Sequence, residues 1–146
     1  MTIGTTLLVD LVADVERNLD AAALGLVRLD RLTLRGYSDE HMHRGYVVAT
    51  PRTRNTNQMR DQDHARVLDT VEIQHAYRIR ALEQRASRDE AHVLEEQIRK
   101  QLTARFMAWG EHLHFEGAER VYQGEDGQWL IITQTYTTRR MAVLGG

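Results

Sequence analysis

Apolar residues recur along this chain with two different periods, and the switches between them mark out its elements. Leu8, Leu11, Val12, Val15 and Leu19 follow helical spacing, while Asp10, Asp14, Glu16 and Arg17 mostly fall elsewhere on the wheel. This predicts an amphipathic helix over roughly residues 5–19, with Thr5 or Thr6 as its cap and Gly25 where the chain turns away. Leu24 to Leu34 shows no clean period, and only a short strand near Leu32–Leu34 is expected there. Tyr46–Thr50 is β-prone, and Pro51 places that strand at an edge or at its end.

From Thr53 to Ala65 almost nothing is apolar. Such a stretch between two strands is a projecting loop or a long hairpin tip, here taken as a polar projecting loop over about 52–66. Beyond it the period becomes two. Val67, Val71, Ile73, Tyr77 and Ile79 share one face of a strand; Leu68, Thr70, Glu72, Gln74 and Arg78 share the other. Asp69 and His75 interrupt the apolar face. Asp69 is expected near the strand end, and His75 hydrogen-bonded and partly buried.

Ser87 and Glu90 have the spacing of a capping box, in which each side chain takes an orphan amide at a helix start. Ala91, Leu94, Ile98, Leu102 and Phe106 then form the buried stripe of a second helix, to about residue 107, with Trp109-Gly110 ending it. Val121-Tyr122, the turn Gly124–Gly127 and Trp129–Thr133 read as a hairpin, continued by polar β-prone sequence to Thr138. The sum is one α+β domain over residues 1–146, a mostly antiparallel sheet packed against two amphipathic helices.

Composition narrows the function classes. Cysteine is absent, which removes disulfides, thiolate nucleophiles and Cys-based zinc sites. The apolar stretches are too short for a membrane span, and Asp10, Asp14 and Glu16 interrupt the N-terminal one, so neither a signal peptide nor an anchor is expected. A net charge of -2 argues against a broad nucleic-acid footprint. Lys100 is the only lysine; every other position of that charge is arginine, whose planar fork suits interface ion pairs.

Candidate chemistry is sparse. The pairs His41/His43 and His112/His114 would each point two imidazoles the same way on a strand, and Glu40, Glu111 and Glu116 could add oxygen ligands. Neither pair has helical His-Glu-x-x-His spacing, and surface histidines near loops are the better reading. Asp69 and Glu72 project to opposite faces and make poor acid–base partners. No nucleophile elbow or phosphate-binding glycine loop occurs. No catalytic residue, cofactor or metal is expected, and the chain reads as a non-enzyme. Arg52, Arg54, Arg60 and Arg66 cluster around the polar segment, with Asn57, Asp61 and Asp63 among them. That segment has no aromatic residue beyond His64 to stack single-stranded bases. Mixed charge fits a protein partner, where it sets register; a solvated loop without a partner is the other reading.

The element order also resembles a known family. An N-terminal amphipathic helix is followed by Gly45-Tyr46-Val47-Val48-Ala49 and a polar excursion. Then come Asp69-Thr70-Val71-Glu72-Ile73, the helix from Ser87-Arg88-Asp89-Glu90-Ala91 through Leu102, and a last strand including Thr135-Tyr136-Thr137. This is similar to the tail terminators of long-tailed bacteriophages and gene transfer agents. The resemblance implies a small α+β subunit of a hexameric ring that caps the tail tube and meets a head-side connector or stopper protein. It implies residence in the tail or neck of a virion assembled in the host cytoplasm, with DNA passing the lumen and no sequence-specific contact. Strand edges such as Tyr46–Thr50 or Leu130–Tyr136 would pair with neighbours. By its composition rather than by any family motif, the polar segment with Arg52, Arg54, Asn57, Arg60, Asp61, Asp63 and Arg66 is the candidate to reach a neighbouring ring, the lumen or the tube. A head-completion or connector protein remains open, as does a small ligand-binding or enzymatic domain with the histidines and Tyr77 near a pocket.

Overall fold

A computed structural model describes residues 7–30, 32, 42–59, 64–104, 112–124 and 127–143. Helix α1 (Leu8–Ala21) is followed by strands β1 (Val27–Arg28), β2 (Gly45–Val48), β3 (Arg52–Met59) and β4 (His64–Arg78). A 3-10 turn (Ala81–Glu83) leads into α2 (Gln84–Thr103), and β5 (His114–Gln123) and β6 (Trp129–Val143) close the chain. The six strands form one sheet in the order β1-β2-β4-β6-β5, with β3 also paired to β4. Among the described strands only the β1–β2 pair is parallel. The α+β expectation holds.

Both helices lie on one face of the sheet. Leu11, Val15 and Leu19 of α1 and Ala91, Leu94, Ile98 and Leu102 of α2 share a core with Val71, Ile73, Tyr77, Leu130, Ile132 and Tyr136. The period-two split of β4 places its odd-numbered residues under the helices. On the opposite face a smaller cluster, Met42, Ala76, Trp129 and Ile131, is covered in part by Leu29 and Leu32. Leu24 and Leu26 pack on the helix side and Leu29 and Leu32 on the other, so these leucines serve both faces and show no single period. The short strand there is Val27–Arg28; Leu32 is not in a strand, and residues 33–34 lie outside the described residues. A close approach fixes this corner: a Cβ on Gly45 would come within 2.4 Å of Leu29 Cδ1 and 2.9 Å of the Met42 carbonyl oxygen.

The capping box does not form. Helix α2 starts at Gln84, preceded by Glu83, which makes no side-chain cap bond. Ser87 sits inside the helix and is fully buried. Its Oγ accepts from the backbone N–H of Arg80 at 3.2 Å and from Arg80 Nε at 3.4 Å. Glu90 accepts a short hydrogen bond from the Tyr77 hydroxyl. Ser87 does satisfy an orphan amide, but one that belongs to the incoming strand. The first helix starts after Leu7 without a side-chain cap; Thr5, Thr6, Phe106, Trp109 and Gly110 lie outside the described residues.

The polar segment is the largest departure from expectation. Arg52–Met59 is a strand, and its ladder with β4 runs from Arg52↔Thr70 to Met59↔Ala65, with an irregularity between Asn55 and Gln58. The projecting loop over 52–66 is thus a β-hairpin, of which residues 60–63 alone lie outside the described residues. Its strands lack an apolar face because its backbone bonds, rather than burial, hold it.

Ile98 is fully buried between α2 and the sheet. Ile98→Asp would bury an unpaired carboxylate, and a loss of at least about 4 kcal/mol is expected. Denaturant unfolding of the variant checks this; a midpoint within error of the parent chain would refute the placement.

Candidate assembly surface

Toward the β3 hairpin, the sheet face away from the helices is a polar platform. Strand alternation and register put Thr70, Glu72 and Gln74 of β4 beside Thr137, Thr135 and Thr133 of β6. Arg52 and Arg54 of β3 lie on the same face, opposite Thr70 and Leu68. Together with Glu116 of β5 they border a shallow groove of about 550 Å³. Arg52 Nη2 stands 3.5 Å from Glu72 Oε1, and the Glu116 carboxylate accepts from Thr137 Oγ1 at 2.7 Å. Short hydroxyl side chains leave this surface flat, and charged groups of both signs ring it.

Of the seven residues singled out from sequence, Arg52, Arg54 and Arg66 fall on this outer face, the last opposite Gln58 and Met141. Arg52 and Arg54 share the groove; Arg66 is not in its lining. Asn57 belongs to β3. Arg60, Asp61 and Asp63 lie outside the described residues.

A buried ion pair fixes the base of the hairpin. Asp69, fully buried, accepts from Arg140 Nε at 2.5 Å and from Thr53 Oγ1 at 2.5 Å. Three strands are pinned at one carboxylate, so Asp69 lies well inside β4 and not near its end. Glu72 faces the other way, as the alternation predicts. Breaking such a pair would strand a buried charge, whereas keeping it offsets little more than its own desolvation. Its effect is to fix the register of β3, β4 and β6.

The edge expectation for Leu130–Tyr136 needs correction, since that segment lies between β4 and β5. Tyr46–Val48 pairs with β4, and β1 covers only Gly45 and Tyr46 on its other side. The outer strand beside β6 is β5. Phe115 and Val121 are partly exposed on it, but Glu116, Glu119 and Arg120 are interspersed and the register slips between Phe115 and Gly117. Charges and a bulge are the devices by which edges resist indiscriminate pairing. That mix was visible in the sequence as the least apolar of the C-terminal strands.

A second polar network ties α2 to the sheet. Glu95, 2% exposed, accepts from Arg120 Nε at 2.7 Å and Nη2 at 2.5 Å, and from Arg99 Nη2 at 2.8 Å. Burial alone would raise the Glu95 carboxyl; the hydrogen bonds and charge of Arg120, with Arg99, outweigh it and hold the group below its usual range. Arg99 also stacks 4.0 Å above the Phe115 ring. Gln134 Nε2 donates to the Glu95 carbonyl oxygen at 3.1 Å and lies 3.3 Å from His75 Nε2. His75 is fully buried, beyond the partial burial expected.

Three of the four His-x-His histidines lie among the described residues, each in its own surroundings. His43 packs edge-on against Tyr77 and its Nδ1 accepts from the Arg78 N–H at 3.2 Å. His112 Nδ1 lies 3.2 Å from the Thr103 carbonyl oxygen, and His114 opens β5, exposed. His41 is outside the described residues. Among the described residues no group of three or more His, Asp or Glu could hold a metal ion. No helix there is long and apolar enough to cross a membrane.

No family model matches the chain, and no curated protein matches it. Among solved structures it is similar to a chain of the virion of a native gene transfer agent particle. The two are 17% identical with a TM-score of 0.57, and the match covers 92% of this chain and 95% of that one. At this identity the likeness shows a shared fold.

Burial lowers His75 from 6.5 to about 4, against an opposing pull from Glu95. In the unfolded chain the imidazole takes up a proton near pH 6.5, in the folded chain only near 4. Its contribution to stability is therefore complete above the upper value and is lost as pH falls between the two. A loss of about 2 kcal/mol from this group is expected between neutral pH and pH ~5. His75→Gln should flatten the pH dependence of denaturant unfolding by that amount; an unchanged slope would show that His75 titrates normally.

Proposed function

We propose that this chain is a structural subunit of a phage-like virion, and more narrowly a tail terminator. Copies would form a hexameric ring that caps the tail tube and joins it to the head-side connector. The carrying observation is the fold likeness to a chain of a gene transfer agent virion, which runs nearly the full length of both chains. The element order read from sequence, similar to that of tail terminators, supports the narrower assignment.

The polar platform and hairpin supply surfaces suited to that task. A flat face of threonines and paired charges reads orientation and register through hydrogen bonds and charge complementarity. The hairpin carries Arg52 and Arg54 at its base and Asn57 farther along β3, and is the natural element to engage the tube or an adjoining ring. With net charge -2, the wall would let DNA pass without gripping it. The site of action would be the tail or neck, after assembly in the host cytoplasm. The chemistry is that of assembly, with no catalytic step.

Two measurements test this. Light scattering should give a closed species of six 16.9 kDa chains, alone or once tail tube is added. Tube ends mixed with the protein should stop growing. Replacing residues 57–64 by a two-residue turn keeps the Arg52–Asn55 rungs and the Asp69–Arg140 pair, so its melting temperature should stay within a few degrees while tube capping is lost. Full capping by that variant would remove the hairpin from the docking surface. Binding to portal-side components with none to tubes would instead favour a connector or head-completion protein.

A further inference from the structure

At the hairpin end of the outer sheet face, arginines from three strands gather around an apolar centre. Register places Leu68 of β4 between Arg54 of β3 and Arg139 of β6, and Arg66 of β4 opposite Met141 of β6. Arg54 and Arg139 are exposed; Arg66, Leu68 and Met141 are half-buried. Neighbouring strands stand ~4.8 Å apart and alternate residues of one strand ~7 Å apart. The backbones of the three arginines therefore lie within roughly 10 Å of one another.

Arg54, Arg66 and Arg139 make no ion pair among the described residues. The acids described nearby are engaged or distant. Glu72 stands 3.5 Å from Arg52, and the Glu116 carboxylate accepts from Thr137 Oγ1. Glu119 lies opposite Thr133, which is about 20 Å from Arg139 at the rise of a strand. Asp69 belongs to the inner face and holds Arg140. Asp61 and Asp63 lie outside the described residues. Two chemistries answer a patch of arginines, the carboxylates of a protein and the phosphates of a nucleic acid. The apolar centre favours the protein, because Leu68 and Met141 give a side chain something to rest on and give phosphates nothing. The flanking glutamates and the net charge of -2 also oppose a long phosphate backbone. An apolar centre with a polar rim, enriched in arginine, is the make-up of a protein interface.

We propose that this patch docks an acidic protein surface. An exposed apolar side chain of the partner rests on Leu68 and Met141, and carboxylates around it pair with Arg54, Arg66 and Arg139. Each guanidinium fork offers a carboxylate two parallel N–H donors, so three such pairs fix position and rotation together. The proposal deepens the assembly reading and rests on it for the partner, the end of the tail tube; the patch itself rests on the arginines and their apolar centre.

Poly-L-glutamate presents the carboxylates without any assembly. The parent chain should bind it at low ionic strength and release it as salt is added. Replacing Arg54, Arg66 and Arg139 together by alanine should weaken binding at least tenfold while the melting temperature stays within a few degrees. Replacing Arg85 and Arg88, exposed arginines of α2, should leave binding unchanged. Absence of binding, equal losses in the two variants, or tighter binding of duplex DNA that the triple variant loses would each overturn the patch. With tail tubes, the triple variant and Leu68→Ser should each raise the concentration needed for capping at least tenfold. Full capping by the triple variant overturns the patch and leaves the terminator reading standing. A parent chain that holds poly-L-glutamate through the three arginines yet caps no tube keeps the patch and sinks the terminator reading.

Discussion

Everything in this fold depends on the pairing of β4 with β6. Their ladder is unbroken from His64↔Val143 to Arg78↔Trp129 and joins two 15-residue strands far apart in sequence. One end supplies the apolar residues on which α1 and α2 rest; the other carries the hairpin base. β2 and β3 share one side of β4, and β5 takes the far side of β6. Closing that long connection costs chain entropy before any contact repays it, so the two strands must be strongly specified. Two buried polar centres, Asp69–Arg140 and Gln134 beneath Glu95, act where a register slip of one residue would turn every side chain to the wrong face.

The parts read correctly from sequence are those where burial dictates residue type. The alternation from Val67 to Ile79 and the stripe Ala91, Leu94, Ile98 and Leu102 are such cases, and both came through with the right faces inward. What misled was polar sequence whose partner lies elsewhere. Arg52–Met59 looks like a loop because neither face is apolar; it is a strand because β4 offers it free backbone groups. Ser87 looks like a helix cap because the local spacing fits, yet the amide it satisfies comes from Arg80.

The candidate surface was legible only in outline. Sequence brought forward the arginines of the hairpin but not the threonine rows of β4 and β6 that form a plane with Arg52 and Arg54. Those threonines alternate with buried residues on two separate strands, and only the register sets them side by side. Likewise the outer strand could not be told from the inner ones, since edge position is a property of topology. The charged, bulged composition of β5 was its one local signal.

The hydrogen bonds of an antiparallel ladder stand perpendicular to its strands. A pull on the hairpin tip along β4 therefore loads the rungs with β6 in parallel rather than opening them one after another like a zip. The Asp69–Arg140–Thr53 knot adds a cross-brace partway along that line. A subunit built this way is stiff along the direction of its longest strands and compliant across them, which gives any assembly that seizes the hairpin a handle resistant to mechanical shear.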